Sequence, residues 1–350
     1  MKQVDYLIVG CGLAGIAFSH MLEKHGKSFI VVDDSSQQSS TVAGGLYNPV
    51  VLKRFTPVWK SEEQLNIALP VYEELEDKLQ VKLDYKTPVY RLFNSVAEQN
   101  NWFQATDHPE LSKYLYPHIS YLKNSAIDSS FGYGLVHETG RVDTAQLIRS
   151  YRAYLKQKDM FLEVSFKPED LNLNVAGCEF GDILASRVIF CEGFGLKHNP
   201  YFNYLPLNGT KGELITIHAP ELQIEFVLKS SVFLIPLGDD IYRVGSTYEW
   251  EDKTNTITNK GKEELLTKLD GFLKCDYKVI DQVAGIRRTV KDRRPLVGQH
   301  GQHKQLFVLN GLGTRGVMIA PYVAEQLFHH IEYQTPLNKE IDIRRFEATS

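Results

Sequence analysis

The sequence predicts a mixed fold, in which an α/β, Rossmann-like dinucleotide-binding domain is interleaved with an antiparallel-sheet domain. Three observations predict it. Residues 4–33 run as an apolar strand VDYLIV, the turn GCGLAG, a helical stretch, a second apolar strand FIVV and Asp33. Another strand, glycine loop and long helix, QLFVLNGLGTRGVMIAPYVAEQLFHHI, lies near the C-terminus. Between them, from Leu207 to Trp250, the hydrophobic period changes to two in ELITIHA, EFVLK, VFLIPL and IYRVGSTYEW, the pattern of half-buried antiparallel strands.

Each part of the first segment has a physical task. Gly10 permits the tight turn off the strand, Gly12 lets the backbone approach a pyrophosphate, and Gly15 removes the side chain that would hold the helix off the strand. Leu13 and Ala14 open that helix, whose N-terminal N–H groups and partial positive charge suit a doubly anionic linker. Asp33, with Asp34 beside it, ends the second strand, where a carboxylate accepts hydrogen bonds from both ribose hydroxyls. It would repel a ribose phosphate, which disfavours NADP and leaves NAD or FAD. Cys11 reads as a small residue tolerated between two glycines.

Next comes the polar, then glycine-rich SSQQSSTVAGGLYNPV. The helix that follows places Leu65, Leu69, Tyr72, Leu75 and Leu79 on one face, with Ser61 and Gln64 spaced as a capping box and a kink expected at Pro70. A short strand at 88–93 leads into a tyrosine-rich stretch, 94–133, that shows no periodicity on which to organise it. Asp143 and Gln146 then form a second capping signature ahead of a helix with Leu147, Tyr151 and Tyr154 on its apolar face. SRVIFCEGFG is a buried strand ending in glycines, the place where a parallel sheet admits a ligand. Asp239 and Asp240 fill a hairpin turn, a helix is expected over 258–273, and the strand KVIDQVAGIRR follows. Segments of dinucleotide-binding character thus occupy 1–60, 137–205 and 284–350, and the second domain takes 61–136 and 206–283.

At 350 residues, 43% hydrophobic and 23% charged, the chain is long enough for two domains with cores of their own. A formal charge of −4 gives no electrostatic footprint for wholesale nucleic-acid or membrane binding. Cys11, Cys178, Cys191 and Cys275 lie far apart with no CxxC pair, which suggests neither a zinc site nor a disulfide framework. The N-terminus lacks a signal-peptide design, no apolar run is long enough to span a membrane, and the cytoplasm is the expected compartment.

The segments GCGLAG with Asp33, SSTVAGGLYNP, GRVDTAQLI, RVIFCEGFG, FLIPLGDDIYRVGSTYE, AGIRRTVKDRRPLVG and LFVLNGLGTRGVMIAPYVAE follow one another in the order seen in a known family. The chain resembles the glycine and D-amino-acid oxidase family of FAD-dependent oxidoreductases, whose dinucleotide fold is of the glutathione-reductase type. The resemblance runs from end to end except around 94–133. It implies FAD, with Ser39 and Ser40 near the pyrophosphate, Gly44, Gly45 and Leu46 near the flavin ring, and Gly193 at the middle of the cofactor. Covalent members attach flavin through a cysteine near the segment that here reads AGIRR. None lies there, so non-covalent FAD is expected.

The same resemblance places the loop carrying Gly311, Gly313, Thr314, Arg315 and Gly316 at the flavin. The helix it opens would aim its N–H groups at the N1 and O2 edge, where reduced flavin is anionic. Arg287 matches the arginine that holds the substrate carboxylate through a bidentate, always-charged fork, and also borders the cofactor. Arg288 stands where the family usually has proline. Tyr248 falls among pocket-lining positions, and Tyr47 beside the glycine pair. Arg287, Tyr248 and Arg315 are therefore the catalytic candidates. His300 and His303 sit in a polar turn, and no metal ligand set or triad is visible.

The activity implied is amine or amino-acid oxidation: hydride passes from the carbon beside a neutral amine to the flavin, the imine hydrolyses, and oxygen is the expected acceptor. The partner is then a small amine or amino acid, glycine-like or N-substituted. GLGTRGVMIAPYVAE and AGGLYNPVV also resemble the FAD-dependent half of the bifunctional enzyme that finishes modified wobble uridines in tRNA, which removes a carboxymethyl group from a secondary amine. The acidic balance argues against tRNA, while the basic run 287–294 could serve it. A third reading is a dinucleotide-binding protein without turnover.

Overall fold

The computed structural model describes residues 1–346. The first unit is built on parallel strands in the order Phe161–Leu162, Phe29–Val32, Lys2–Val9, Ile183–Phe190 and Leu306–Asn310, with Leu296–Gln299 antiparallel on the far edge. The continuous apolar runs seen in the sequence are explained by cover on both faces. Tyr6, Ile8, Val31, Ile189 and Leu309 point into a core shared with helices Leu13–Lys24, Thr144–Gln157 and Gly316–Tyr333. Leu7, Val9, Val32, Val188 and Val308 point the other way, onto Phe180, Phe202 and Leu205.

The second unit is an eight-stranded sheet ordered Lys278–Val290, Leu207–His218, Ile241–Gly245, Phe233–Gly238, Val227–Lys229, Val89–Leu92, Tyr133–Val136 and Leu115–Ser120. Its pairs are antiparallel except Val227–Lys229 with Val89–Leu92. One face, with Ile215, Leu228, Leu234 and Val244, packs on Leu265 and Leu269 of helix Asn259–Asp270. The opposite face carries Val89, Val136, Val227 and Ile235 and looks toward the first unit. Asp239 and Asp240 take φ of +50° and +56° in the hairpin turn, the two left-handed residues that a tight hairpin with native twist requires.

Several local expectations are modified by the structure. The helix expected to open the second domain, Ser61–Leu79, lies instead on the first unit. Its buried stripe of Leu65, Ala68, Tyr72 and Leu75 joins the first core, and the Tyr72 hydroxyl donates to the Val317 carbonyl at 2.7 Å. Ser61 does not cap it: Lys60, left-handed at φ +47°, is the capping residue, and Gln64 Nε2 donates back to the Trp59 carbonyl. The helix continues through Pro70, which is exposed. The unorganised stretch contains helix Val96–Thr106, where Ser95 accepts from the Glu98 N–H at 3.2 Å. Asp143 does cap its helix, accepting from the Gln146 N–H at 2.9 Å, but the Gln146 side chain turns outward to Ser150.

Candidate functional site

The first glycine turn is closed by backbone. Gly10 adopts φ +104°, and a Cβ on it would lie 2.6 Å from the Cys191 carbonyl oxygen; a Cβ on Gly15 would overlap the Gly10 carbonyl itself. Gly12 is the N-cap of helix Leu13–Lys24 and offers no side chain, so the N-cap residue supplies no acceptor to the first amides, including that of Ala14. Ser40 Oγ stands 3.4 Å from the Leu13 N–H, which brings the serine pair to this helix start.

Asp33 is more heavily engaged than the sequence suggests. It accepts from the Cys11 N–H at 2.6 Å, from the Ser35 N–H at 2.8 Å and from Arg152 at 2.6 Å. A carboxylate has about four acceptor positions, so roughly one remains for a ribose hydroxyl. Asp34 is exposed and accepts from the Ser36 N–H in its own surface turn.

The second turn reaches the same cleft. Gly311 and Gly313 take φ of +72° and +60°, and the Gly313 N–H donates to the Arg288 carbonyl at 2.9 Å. Asn310, 1% exposed, bridges outward to the Gly193 carbonyl at 3.0 Å. Arg315 is the N-cap of helix Gly316–Tyr333 and makes no side-chain cap, and Thr314 is exposed. A Cβ on Gly316 would lie 3.0 Å from Leu13 Cδ1. The two glycine-lined helix starts therefore abut.

Between this double entrance and the second unit run Gly44, Gly45 and Leu46. A Cβ on Gly44 would come 2.9 Å from Ile235 Cδ1, Gly45 sits at φ +69° against Val142, and Leu46 pairs with Arg141. Tyr47 is a core residue, 2% exposed, its hydroxyl donating to Asp84 at 2.8 Å.

Arg287 and Arg288 are consecutive on strand Lys278–Val290, so their side chains leave opposite faces. Arg287 packs over Gly212, donates to the Thr247 carbonyl at 3.0 Å and to Ser246 Oγ, and lies 4.5 Å from the Tyr248 ring centre. Burial lowers the basicity of Arg287 and of Arg315; Tyr248 opposes that loss at both, and Arg293 adds to it at Arg315. Arg288 is 8% exposed, donates to Ser39 Oγ, and leaves its Nε without a partner. Among the described residues, none of Arg287, Arg288 and Arg315 pairs with a carboxylate.

A dinucleotide with an anionic linker fits this cleft. Gly10 and Gly15 leave no room for side chains, two helix N-termini meet there without a side-chain cap from their N-cap residues, and a buried guanidinium has an unused donor beside them. Residues 5–329 match the family model DAO, described as FAD dependent oxidoreductase. The chain belongs to the DAO family. By that description it is an FAD-dependent oxidoreductase, with FAD as its cofactor. The "tRNA 5-methylaminomethyl-2-thiouridine biosynthesis bifunctional protein MnmC" of Legionella pneumophila (strain Corby) is 22% identical over 378 residues, covering 96% of this chain and 54% of that protein. This chain thus spans about half the length of that curated relative. Glycine oxidase from Geobacillus kaustophilus shares the fold with a TM-score of 0.80 at 15% identity, over 99% of this chain and 98% of that one. Iminodiacetate oxidase from Chelativorans sp. BNC1 does so with 0.78 at 19%, over 96% and 98%. No helix of the described residues is long and apolar enough to cross a membrane, and none of their His, Cys, Asp and Glu side chains group as a metal site.

Two residues at the site were not singled out from sequence. Arg152, on helix Thr144–Gln157, holds Asp33 and Ser35. Its spacing on the helix carries no signal, because the contact depends on where that helix packs. Arg288 was visible only as a departure from the family's usual proline.

Proposed function

We propose that this oxidoreductase acts on a small substrate carrying a carboxylate next to its amine, glycine or an N-substituted glycine. The observation that carries the reading is the pair Arg287 and Arg315 beside Tyr248, two half-buried cations with no carboxylate of the protein to neutralise them. Arg287 is held by Ser246 and the Thr247 carbonyl in a fixed orientation, so its remaining donors can grip a carboxylate without first being ordered. Tyr248, 58% exposed, caps the guanidinium from the solvent side. FAD, when bound, supplies the hydride acceptor for the carbon beside the amine, with oxygen as its final acceptor. Helix Gly316–Tyr333, whose start has no side-chain cap, would offer its first amides and positive end to a flavin that becomes anionic on reduction.

Ser39, Ser40, Gly10, Gly12 and Gly15 would hold the pyrophosphate, Asp33 the ribose, Gly44, Gly45 and Gly193 the flavin side. Attachment is non-covalent: Cys11 and Cys191, the cysteines nearest the first turn, are buried, and burial pushes the Cys11 thiol up to about 12, away from the reactive thiolate. Anaerobic bleaching of the bound flavin by glycine, sarcosine and iminodiacetate is expected, with no bleaching by amines that lack a carboxylate. Bleaching by simple amines alone would remove the carboxylate from the reading.

A second reading is oxidation of a carboxymethylaminomethyl group on a tRNA wobble uridine; the Legionella relative is named for tRNA 5-methylaminomethyl-2-thiouridine biosynthesis. It presents the same carboxylate to Arg287, and Lys291 and Arg293 are exposed on the loop that follows, available to phosphates. In that case bound flavin would be reduced by the modified tRNA and not by free amino acids.

A further inference from the structure

Arg288 presents an unsolved problem in electrostatics. The residue is 8% exposed and, among the described residues, the one side-chain hydrogen bond it makes is to Ser39 Oγ, with Nε left without a partner. Burying a charge with donors unused costs several kcal/mol, and a folded protein retains such a group where an anion completes it. Burial alone brings the guanidinium down to about 10, with Cys191 opposing.

Its surroundings show which anion. A Cβ on Gly193 would lie 2.5 Å from Arg288 Nε, and Gly193 itself sits at φ +65°, so the turn after strand Ile183–Phe190 carries a glycine that makes way for this head group. Ser39 precedes Ser40, whose Oγ stands 3.4 Å from the Leu13 N–H and would lie 3.0 Å from a Cβ on Gly12. Thus Ser39 and Ser40 link the guanidinium to the uncapped start of the first helix. The substrate carboxylate is provided for separately, by Arg287 on the opposite face of the strand.

We propose that Arg288 is the cationic partner of the FAD pyrophosphate, facing the linker from the side opposite the N-terminus of helix Leu13–Lys24. The proposal rests on FAD as the cofactor and is independent of the substrate. One consequence is specific: in the apoprotein Arg288 is an uncompensated buried charge, and in the holoenzyme it is half of an ion pair. Replacing it therefore pushes the two forms in opposite directions.

The test uses the full chain, stripped of flavin and titrated with FAD and with riboflavin, which lacks the phosphates, following the quenching of flavin fluorescence. For Arg288→Met the expected result is FAD affinity weaker by about a hundredfold, riboflavin affinity changed by less than about threefold, an apoprotein melting point equal to or above wild type, and a holoenzyme melting point below it. Arg288→Lys should recover part of the FAD affinity, and provides the same FAD-to-riboflavin ratio if the methionine variant does not fold. Unchanged FAD affinity would overturn the proposal, as would equal losses for FAD and riboflavin or a shifted flavin potential with affinity intact, since both place the guanidinium at the ring. Failure of wild-type protein to bind any FAD would instead count against the cofactor.

Discussion

The two helix starts that meet in the cleft have the same glycine spacing, Gly10, Gly12, Gly15 and Gly311, Gly313, Gly316, yet they are constrained differently. In the first, the space a Cβ would need is occupied by backbone: the Cys191 carbonyl against Gly10 and the Gly10 carbonyl against Gly15. In the second, the neighbours are mainly side-chain ends: Val290 Cγ2 2.7 Å from a Cβ on Gly311 and Leu13 Cδ1 3.0 Å from one on Gly316, while a Cβ on Gly313 meets nothing nearer than 4.0 Å. Backbone in a hydrogen-bonded sheet cannot retreat, whereas a leucine tip can turn. Identical spacing therefore encodes an absolute steric requirement at the first helix start and a softer one at the second.

The comparison breaks most visibly at Gly15. In Gly15→Ala the new methyl must displace either the helix or the Gly10 carbonyl, which should cost about 3 kcal/mol or more and detach the helix start from the phosphates. The expected result is protein purified without yellow colour and with a melting point lowered by several degrees; normal flavin content would mean the close approach has no functional weight. At the second entrance the matching loss is of rate. Arg287→Ala should keep its flavin and slow flavin reduction by carboxylate substrates about a hundredfold, the loss of a charge-assisted pair of roughly 3 kcal/mol. Unchanged reduction rates in rapid mixing would take Arg287 out of the substrate site.

These two outcomes differ in how far the sequence foreshadows them. The first turn was legible because its constraint is local: strand, turn, helix and second strand are contiguous, Gly15 answers to atoms within that unit, and Gly10 answers to Cys191 beside it. The division between Arg287 and Arg288 was not, because it depends on the parity of a strand whose register is set by pairing with Leu207–His218, distant in sequence. The helix Val96–Thr106 carried a readable Ser95 and Glu98 signature, but its apolar contribution is essentially Trp102, which packs on Phe93 and against Gly134. One aromatic gives no period. The Ser61 signature misled for a related reason, since the left-handed Lys60 fixes that helix start through backbone conformation, which side-chain spacing does not report.

Glu192 sharpens the contrast electrostatically. It follows Cys191 at the first turn, where its backbone nitrogen would lie 3.3 Å from a Cβ on Gly10, and accepts from Asn199 Nδ2 at 2.7 Å. Burial pushes its carboxyl up to about 7. Between its unfolded value and that value the folded state holds a proton that the unfolded state releases, so stability falls as pH rises through this window and levels off above it. Glu192→Gln keeps an acceptor for Asn199 without the titration. Its stability should exceed wild type by about 2 kcal/mol at pH 8 and by much less at pH 5. Parallel melting curves at the two pH values would show that the carboxyl is ionised in the fold.

The smallest effect expected belongs to Gly316→Ala, the positional counterpart of Gly15→Ala. Gly316 opens its helix without a left-handed φ, so alanine brings no backbone strain there and reduces the freedom of the unfolded chain. Against that gain stands the tip of Leu13, which must move by a few tenths of an ångström. The two terms are each of order 1 kcal/mol and opposite in sign, so the melting point should stay within a few degrees of wild type and flavin content should be normal. What changes is the flavin side: Leu13 presses on the start of the second helix, and a shifted helix end alters the positive potential offered to the reduced ring. A flavin potential displaced by a few tens of millivolts with affinity intact is the expected signature. A collapse of flavin content as severe as that of Gly15→Ala would show that both entrances are equally rigid.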